Sequence, residues 1–201
     1  MNRPLTDLGF IDQAAILGRY LDPGKLDRYY SVLMDHNSRV NLVSRETSRV
    51  DFDRLVAESL LPLDQIKTPV ASYIDIGAGG GFPSFPILLS GRVSDGAHLI
   101  ERTEKKARAL KTMLTQLSLN AQVIPRNLEE VKDLSPVSLI TLRLVKLDRL
   151  LLARLVSLLQ PGGILVYYSQ PEFPVTTPAC ETFTFRSSQL SEPKSFTIFK
   201  K

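Results

Sequence analysis

The chain has 201 residues, 43% hydrophobic and 23% charged, with a formal net charge of +4. That is the make-up of an ordinary globular protein, large enough for one α/β domain with an extension. No apolar run reaches the roughly 18 residues of a membrane span and the opening Met1-Asn2-Arg3-Pro4-Leu5-Thr6-Asp7 lacks the apolar centre of a signal peptide, so a cytoplasmic protein without membrane contact is expected.

From the N-terminus, Leu5, Leu8, Ile11 and Ala15, then Tyr29, Val32, Leu33 and Asn37, recur at spacings of three and four. They predict helices separated by the turn Asp22-Pro23-Gly24, with a third helix at 49–61, and together a helical cap over residues 1–66. Beyond it the pattern alternates, predicting strands at 72–76, 97–101, 121–125, 137–142 and 163–169 and helices at 83–90, 103–118 and 147–159. Leu159-Gln160-Pro161-Gly162-Gly163 is read as a helix stop and a turn into the fifth of these strands. Alternating runs near Thr182–Phe185 and Ser195–Phe199 predict a terminal antiparallel hairpin. Residues 67–201 are therefore expected to form a Rossmann-like α/β domain on a seven-stranded sheet, and the whole chain to be monomeric. The single cysteine, Cys180, can form no internal disulfide and is read as a buried or idle thiol rather than a nucleophile, and the two histidines, His36 and His98, give no metal-ligand cluster.

The segment Tyr73-Ile74-Asp75-Ile76-Gly77-Ala78-Gly79-Gly80-Gly81-Phe82-Pro83 runs from a β-branched strand into a glycine loop and then a proline suited to a helix's first turn. A dinucleotide fingerprint requires glycine where Phe82 stands, so the pattern is G-x-G-x-G, the loop of S-adenosylmethionine (SAM) methyltransferases, which cradle no pyrophosphate. Gly77, Gly79 and Gly81 are expected to touch or admit the cofactor, and Phe82 to wall its pocket or to pack in the core. Glu101, ending the next apolar run, is expected to accept the ribose hydroxyls or to cap the following helix. Asp75 is expected to brace the loop or to touch the ligand. Arg143, at the end of the fourth predicted strand, can bind a carboxylate or a phosphate or form a salt bridge.

Several stretches together resemble the RsmG (GidB) methyltransferases of bacterial small-subunit ribosomal RNA. Asn37-Ser38-Arg39-Val40-Asn41-Leu42-Val43 is similar to that family's N-x-x-[IV]-N-L-[TV], and Gly77 to Pro86 to its G-[ST]-G-A-G-F-P-G-[IL]-P. Glu101 to Lys106 resembles D-S-x-x-K-[KR], Arg143 stands for the arginine of S-R-A, and Leu159 to Gly163 matches L-x-P-G-G. The resemblance implies a class I SAM-dependent methyltransferase fold, SAM as cofactor, and N7-methylation of a guanine in small-subunit ribosomal RNA. It also implies that Asn127 and Leu128 meet the adenine. The chain departs from the pattern where H-x-x-D-S reads Leu55 to Ser59, with Leu55 for histidine and Glu58 for aspartate. Arg126 to Glu130 carries one extra position against R-A-E-E, and Ser169 replaces the lysine of L-K-G.

The pI near 9.2 leans towards a polyanionic partner. Candidate RNA contacts are Arg39, Arg45, Arg49 and Arg54 in the cap and Lys105, Lys106, Arg108 and Lys111 on the helix after Glu101, with Arg39, Arg45 and Lys105 foremost. Tyr20, Tyr29 and Tyr30 are read as core or as stacking partners for a base. The residues leave open a SAM methyltransferase of another RNA or of a small molecule, and a catalytically lapsed scaffold that binds RNA or the ribosome.

Overall fold

A computed structural model describes residues 5–132, 134–175, 179–188 and 191–201. In chain order the elements are β1 (Leu5–Phe10), α1 (Gln13–Tyr20), α2 (Pro23–Asn37), α3 (Arg49–Leu60), β2 (Val70–Ile76), α4 (Ser84–Leu89), β3 (Val93–Ile100), α5 (Glu104–Gln116), β4 (Ala121–Ile124), β5 (Val137–Leu142), α6 (Arg149–Ser157), β6 (Leu159–Tyr167), β7 (Ala179–Arg186) and β8 (Lys194–Lys200). One sheet holds all the strands in the order β1-β7-β8-β6-β5-β2-β3-β4. Strands β6, β5, β2, β3 and β4 are parallel, and β8 and β7 form the antiparallel hairpin.

The sheet has eight strands, not the expected seven, because Leu5–Phe10 is a strand parallel to β7. A spacing of three at Leu5, Leu8 and Ile11 suggested a helix, but Gly9 sits at φ 67, where a helix cannot continue. Tertiary contacts decide the rest: Thr6 Oγ1 donates to Glu181 Oε1 (2.9 Å) and Thr184 Oγ1 to Asp7 Oδ1 (3.2 Å), tying this segment along β7. The Gln160–Gly163 turn is absorbed into β6, whose register against β5 shifts between Val137↔Leu159 and Leu139↔Ile164.

Alternation along the central strands separates two apolar layers. Tyr73 and Leu139 face α1 to α5, joining Tyr29, Phe52, Val56, Phe85 and Leu110. Ile74, Ile76, Ile140 and Leu142 face the other way onto Leu152 and Leu155 of α6. Helices on both faces leave β5 buried throughout, as a parallel strand in such a stack must be. Among the described residues no helix is long and apolar enough to cross a membrane.

Candidate active site

The chain runs from β2 outward through β3 to β4, then returns to place β5 on the opposite side of β2. This reversal makes the carboxyl ends of β2 and β5 the switch point where an open sheet leaves a crevice. Ile76 and Leu142 are register partners there, so the glycine loop and the Arg143–Lys146 loop diverge from adjacent backbones. A cleft of ≈ 1010 Å³ opens at this place, lined on the sheet side by Gly77 to Gly80, Glu101, Asn127 and Leu128.

The glycine loop is held by its own backbone. Gly77 and Ala78 N–H both donate to Ile100 O (2.8 and 3.0 Å), which fixes the loop against the end of β3. Gly77, at φ 71, also has no room for a side chain, because a Cβ would stand 2.7 Å from Val145 Cγ2. Gly79 N–H donates to Glu101 Oε2 at 2.8 Å, and Thr103 N–H to Oε1 at 2.7 Å. Glu101 therefore does cap the start of α5, and in doing so it clamps the glycine loop to the next strand end. Each oxygen keeps a lone pair beyond these bonds, and Glu101 lines the cleft, so the ribose role and the capping role are compatible. Gly81 is absent from the lining; its φ of 87 and the 2.4 Å that would separate a Cβ from Phe85 Cδ2 give it a packing role. Phe82 lines the cleft and also packs beside Tyr29 and Phe52, with centroids 5.8 and 6.1 Å away.

The opposite wall is the segment between α2 and α3. Buried Asn37, closing α2, accepts from Leu42 and Val43 N–H through Oδ1 (2.9 and 3.0 Å). This one side chain folds the loop that brings Leu42, Val43 and Ser44 to the cleft. The loop then lies directly on Gly80, where a Cβ would be 2.3 Å from Leu42 O, a backbone atom with nowhere to go. Gly80→Ala is therefore expected to force the two walls apart. Such overpacking destabilises by about 1–3 kcal/mol, and cofactor affinity should fall with it; a melting curve and a cofactor titration unchanged from wild type would refute the packing argument.

Arg143 enters the cleft lining from a buried ionic cluster. Its NH2 donates to Glu58 Oε2 and its NH1 to Ser59 Oγ, each at 3.1 Å, while its guanidinium lies 5.6 Å from the centroid of the Tyr168 ring. Glu58, 3% exposed at its side chain, also pairs through Oε1 with Arg54 (3.3 Å) and Lys194 (2.5 Å). One carboxylate thus gathers three cations from α3, β5's outgoing loop and β8. The salt bridge foreseen for Arg143 is real but buried, and it still leaves guanidinium donors beyond the two in use.

A family model described as rRNA small subunit methyltransferase G matches residues 23–190. The chain belongs to that family. Relatives named ribosomal RNA small subunit methyltransferase G include one from Acidiphilium cryptum, 31% identical over 71% of this chain and 65% of that protein. Another, from Chlorobium luteolum, is 32% identical over 74% of this chain and 63% of its own length. The chain thus spans slightly less than two-thirds of these two relatives. Among solved structures, an O-methyltransferase from Bacillus cereus in complex with SAH matches with a TM-score of 0.61 at 14% identity, covering 89% of this chain and 91% of that one. A T. thermophilus 16S rRNA methyltransferase in complex with AdoMet and guanosine matches at 0.54 and 18% identity, over 73% of this chain and 43% of that one. At these identities the structures establish the class I methyltransferase fold.

Other predicted residues divide clearly. Asn127 and Leu128 line the cleft below Glu101. Arg39 pairs with Asp35 at 2.9 Å, Arg45 donates to Asn41 Oδ1 at 3.2 Å, and neither they nor Lys105 stands in the lining. The cations that do line it, besides Arg54 and Arg143, are Arg102, Lys106, Arg126 and Lys146. Of these, Lys106 alone is among the cations expected from the sequence; Arg102, Arg126 and Lys146 stand in loops after β3, β4 and β5, where only the folded sheet brings them to one cleft. Tyr29 is fully buried and stacked on Phe85, and Tyr20 donates to Asp64, so both serve the core. Tyr30 packs edge-on against Phe52 with Arg49 5.1 Å from its centroid, likewise away from the cleft lining.

Asp75 braces the scaffold. It is 1% exposed and accepts from Thr141 Oγ1 at 2.6 Å, which in turn contacts Tyr73 OH at 2.6 Å, joining β2 to β5. Its Oδ2 lacks a hydrogen-bond partner among the described residues, as does the buried Ser84 Oγ. Burial pushes the Asp75 pKa from 3.8 to about 7, against the opposing pull of Thr141. The folded chain then binds more protons than the unfolded one between these two values, so this group makes stability fall as pH rises from 3.8 to about 7 and level off above. Asp75→Asn, which keeps the acceptor and cannot ionise, is expected to raise the melting temperature relative to wild type at pH 8, to keep a smaller part of that advantage at pH 5 and to lose it as pH falls below 3.8. Melts showing a pH-independent difference would contradict a buried, titrating Asp75.

Proposed function

We propose that the chain transfers a methyl group from SAM to N7 of a guanine in small-subunit ribosomal RNA. The observation that carries this reading is a cleft walled on one side by the Glu101-clamped glycine loop and on the other by the Asn37-folded cap segment. Its ≈ 1010 Å³ leaves room for a base beside a cofactor. Family membership supports both the cofactor and the RNA, as do neighbours of the same fold that hold SAH or AdoMet.

The residues present fit SAM: the Gly77 and Gly79 backbone leaves space beside the Glu101 carboxylate, and Arg143 offers cationic donors for the methionine carboxylate. Gly77, Gly79, Phe82, Glu101, Asn127, Leu128 and Arg143 would hold it. When bound, SAM supplies an electrophilic methyl on a sulfonium. Guanine N7 carries an in-plane lone pair and no proton, so the chain need not provide a general base. What it must do is align the nucleophile and exclude water, an effect worth about 7–11 kcal/mol in favourable cases. The RNA backbone is assigned to Arg102, Lys106, Arg126 and Lys146 at the cleft, with Arg39, Arg45 and Lys105 as outer contacts. The reading makes the protein a cytoplasmic monomer acting on ribosomal RNA or the small subunit.

The test is transfer of a labelled methyl from SAM to small-subunit RNA purified from a strain lacking this gene. Digestion should release the label as 7-methylguanosine. Label on another nucleoside would retain the enzyme and replace the target; no transfer to RNA or subunit, with SAM still bound, would favour the scaffold.

A further inference from the structure

Leu144 is 98% exposed and yet lines the cleft, and its φ of 57 is a left-handed conformation that leucine rarely adopts. The chain is pinned on both sides of it. Arg143 is tied to Glu58 and Ser59, Val145 fills the space beside Gly77, and Leu147 is buried. An apolar side chain is thus held out into solvent beside the glycine loop, where relaxation onto the protein surface is blocked. Strain of this kind persists only where the surroundings impose it and gathers at ligand sites. Leu150, 84% exposed at the start of α6, and Leu151, in the lining, continue the apolar surface.

The charges around this surface identify its occupant. Arg102, Lys106, Arg126 and Lys146 line the same cleft, and the first three have no carboxylate within 4.0 Å among the described residues. An apolar platform sharing a cleft with three unpaired cations matches a nucleotide, whose base has an apolar face and whose backbone is anionic. We propose that Leu144 is the platform on which the target purine packs, replacing the stacking that the base gives up when it leaves its RNA neighbours. This deepens the RNA reading and rests on it.

The test uses protein with 13C-methyl leucine, the Leu144 signals being assigned by their loss in Leu144→Met. Guanosine 5′-monophosphate at millimolar concentration, added with S-adenosylhomocysteine, should move the Leu144 methyls upfield through the purine ring current. Methyls that stay in place would overturn the proposal. A second arm compares Leu144→Gly, which relieves the left-handed strain and should melt at least as high as wild type. It is expected to lower methyl transfer to small-subunit RNA tenfold or more while S-adenosylhomocysteine affinity stays within twofold, and Leu144→Met should retain most of the rate. Leu144→Gly with full transfer would show an idle surface leucine. If wild type transfers no methyl to RNA, the function reading fails, and the resonance shift still decides whether Leu144 receives a purine.

Discussion

Replacing Glu58 with alanine is expected to destabilise the protein by about 3–5 kcal/mol, the usual penalty for removing one partner of a buried ion cluster. The carboxylate is 3% exposed and is the counter-charge of Arg54, Arg143 and Lys194, whose side chains are 28, 14 and 37% exposed. Without it Arg143 and Lys194 lose their paired carboxylate while Arg54 keeps only Asp51, and Arg143 loses the charged anchor that sets it in the cleft. For a chain of this size the loss corresponds to a fall in melting temperature on the order of 10 °C, readable by circular dichroism. Glu58→Asp, the residue of the family pattern, retains the charge with a shorter reach and should fall between alanine and wild type. A melting curve for Glu58→Ala superimposable on wild type would mean that the three cations are solvated and the cluster has no structural weight.

Glu101→Ala is expected to lower S-adenosylhomocysteine affinity by about a hundredfold or more. The carboxylate holds Gly79 N–H at 2.8 Å and Thr103 N–H at 2.7 Å, and hydrogen bonds to a charged group are each worth about 1.5–3 kcal/mol. Losing both loosens the glycine loop, and losing the free lone pairs removes the acceptors proposed for the ribose; roughly 2.8 kcal/mol is already a hundredfold. Glu101→Gln, which keeps one oxygen acceptor, should bind with intermediate affinity. Titrations in which Glu101→Ala matches wild type would place the cofactor elsewhere.

Much of this arrangement is legible in the sequence where one local pattern decides the outcome. Val137 to Leu142 is a short, largely apolar and β-branched run broken only by Ser138, and β5 has those bounds. Ser48 and Asp51 form a capping box at the head of α3, and the expected third helix starts there. Glu101 is conspicuous in the sequence as a carboxylate ending an apolar run after the glycine loop, and the structure places it in the cleft lining. Legibility ends where distant segments cooperate. Leu5–Phe10 becomes a strand only because β7 offers an edge more than 170 positions away, as the Thr6–Glu181 bond records. Glu58 reads as a mere aspartate substitute until Lys194, 136 positions on, is seen against it. Asn37 was visible as part of a signature, but its task, gathering the N–H groups of Leu42 and Val43, needs the folded loop. Gly80 carries no signal of its own in the sequence, because its constraint is the carbonyl of Leu42 and not its own φ.

The account stands on the glycine loop and Glu101 forming a SAM site rather than a bare βα turn. Titration calorimetry of the purified chain with S-adenosylhomocysteine, and separately with NAD, tests this most directly. One equivalent of S-adenosylhomocysteine should bind, with affinity lost in Glu101→Ala, and NAD should give no heat above dilution because the loop holds Phe82 where a pyrophosphate site needs glycine. No heat with S-adenosylhomocysteine, or equal affinity for NAD, would contradict the account at its base.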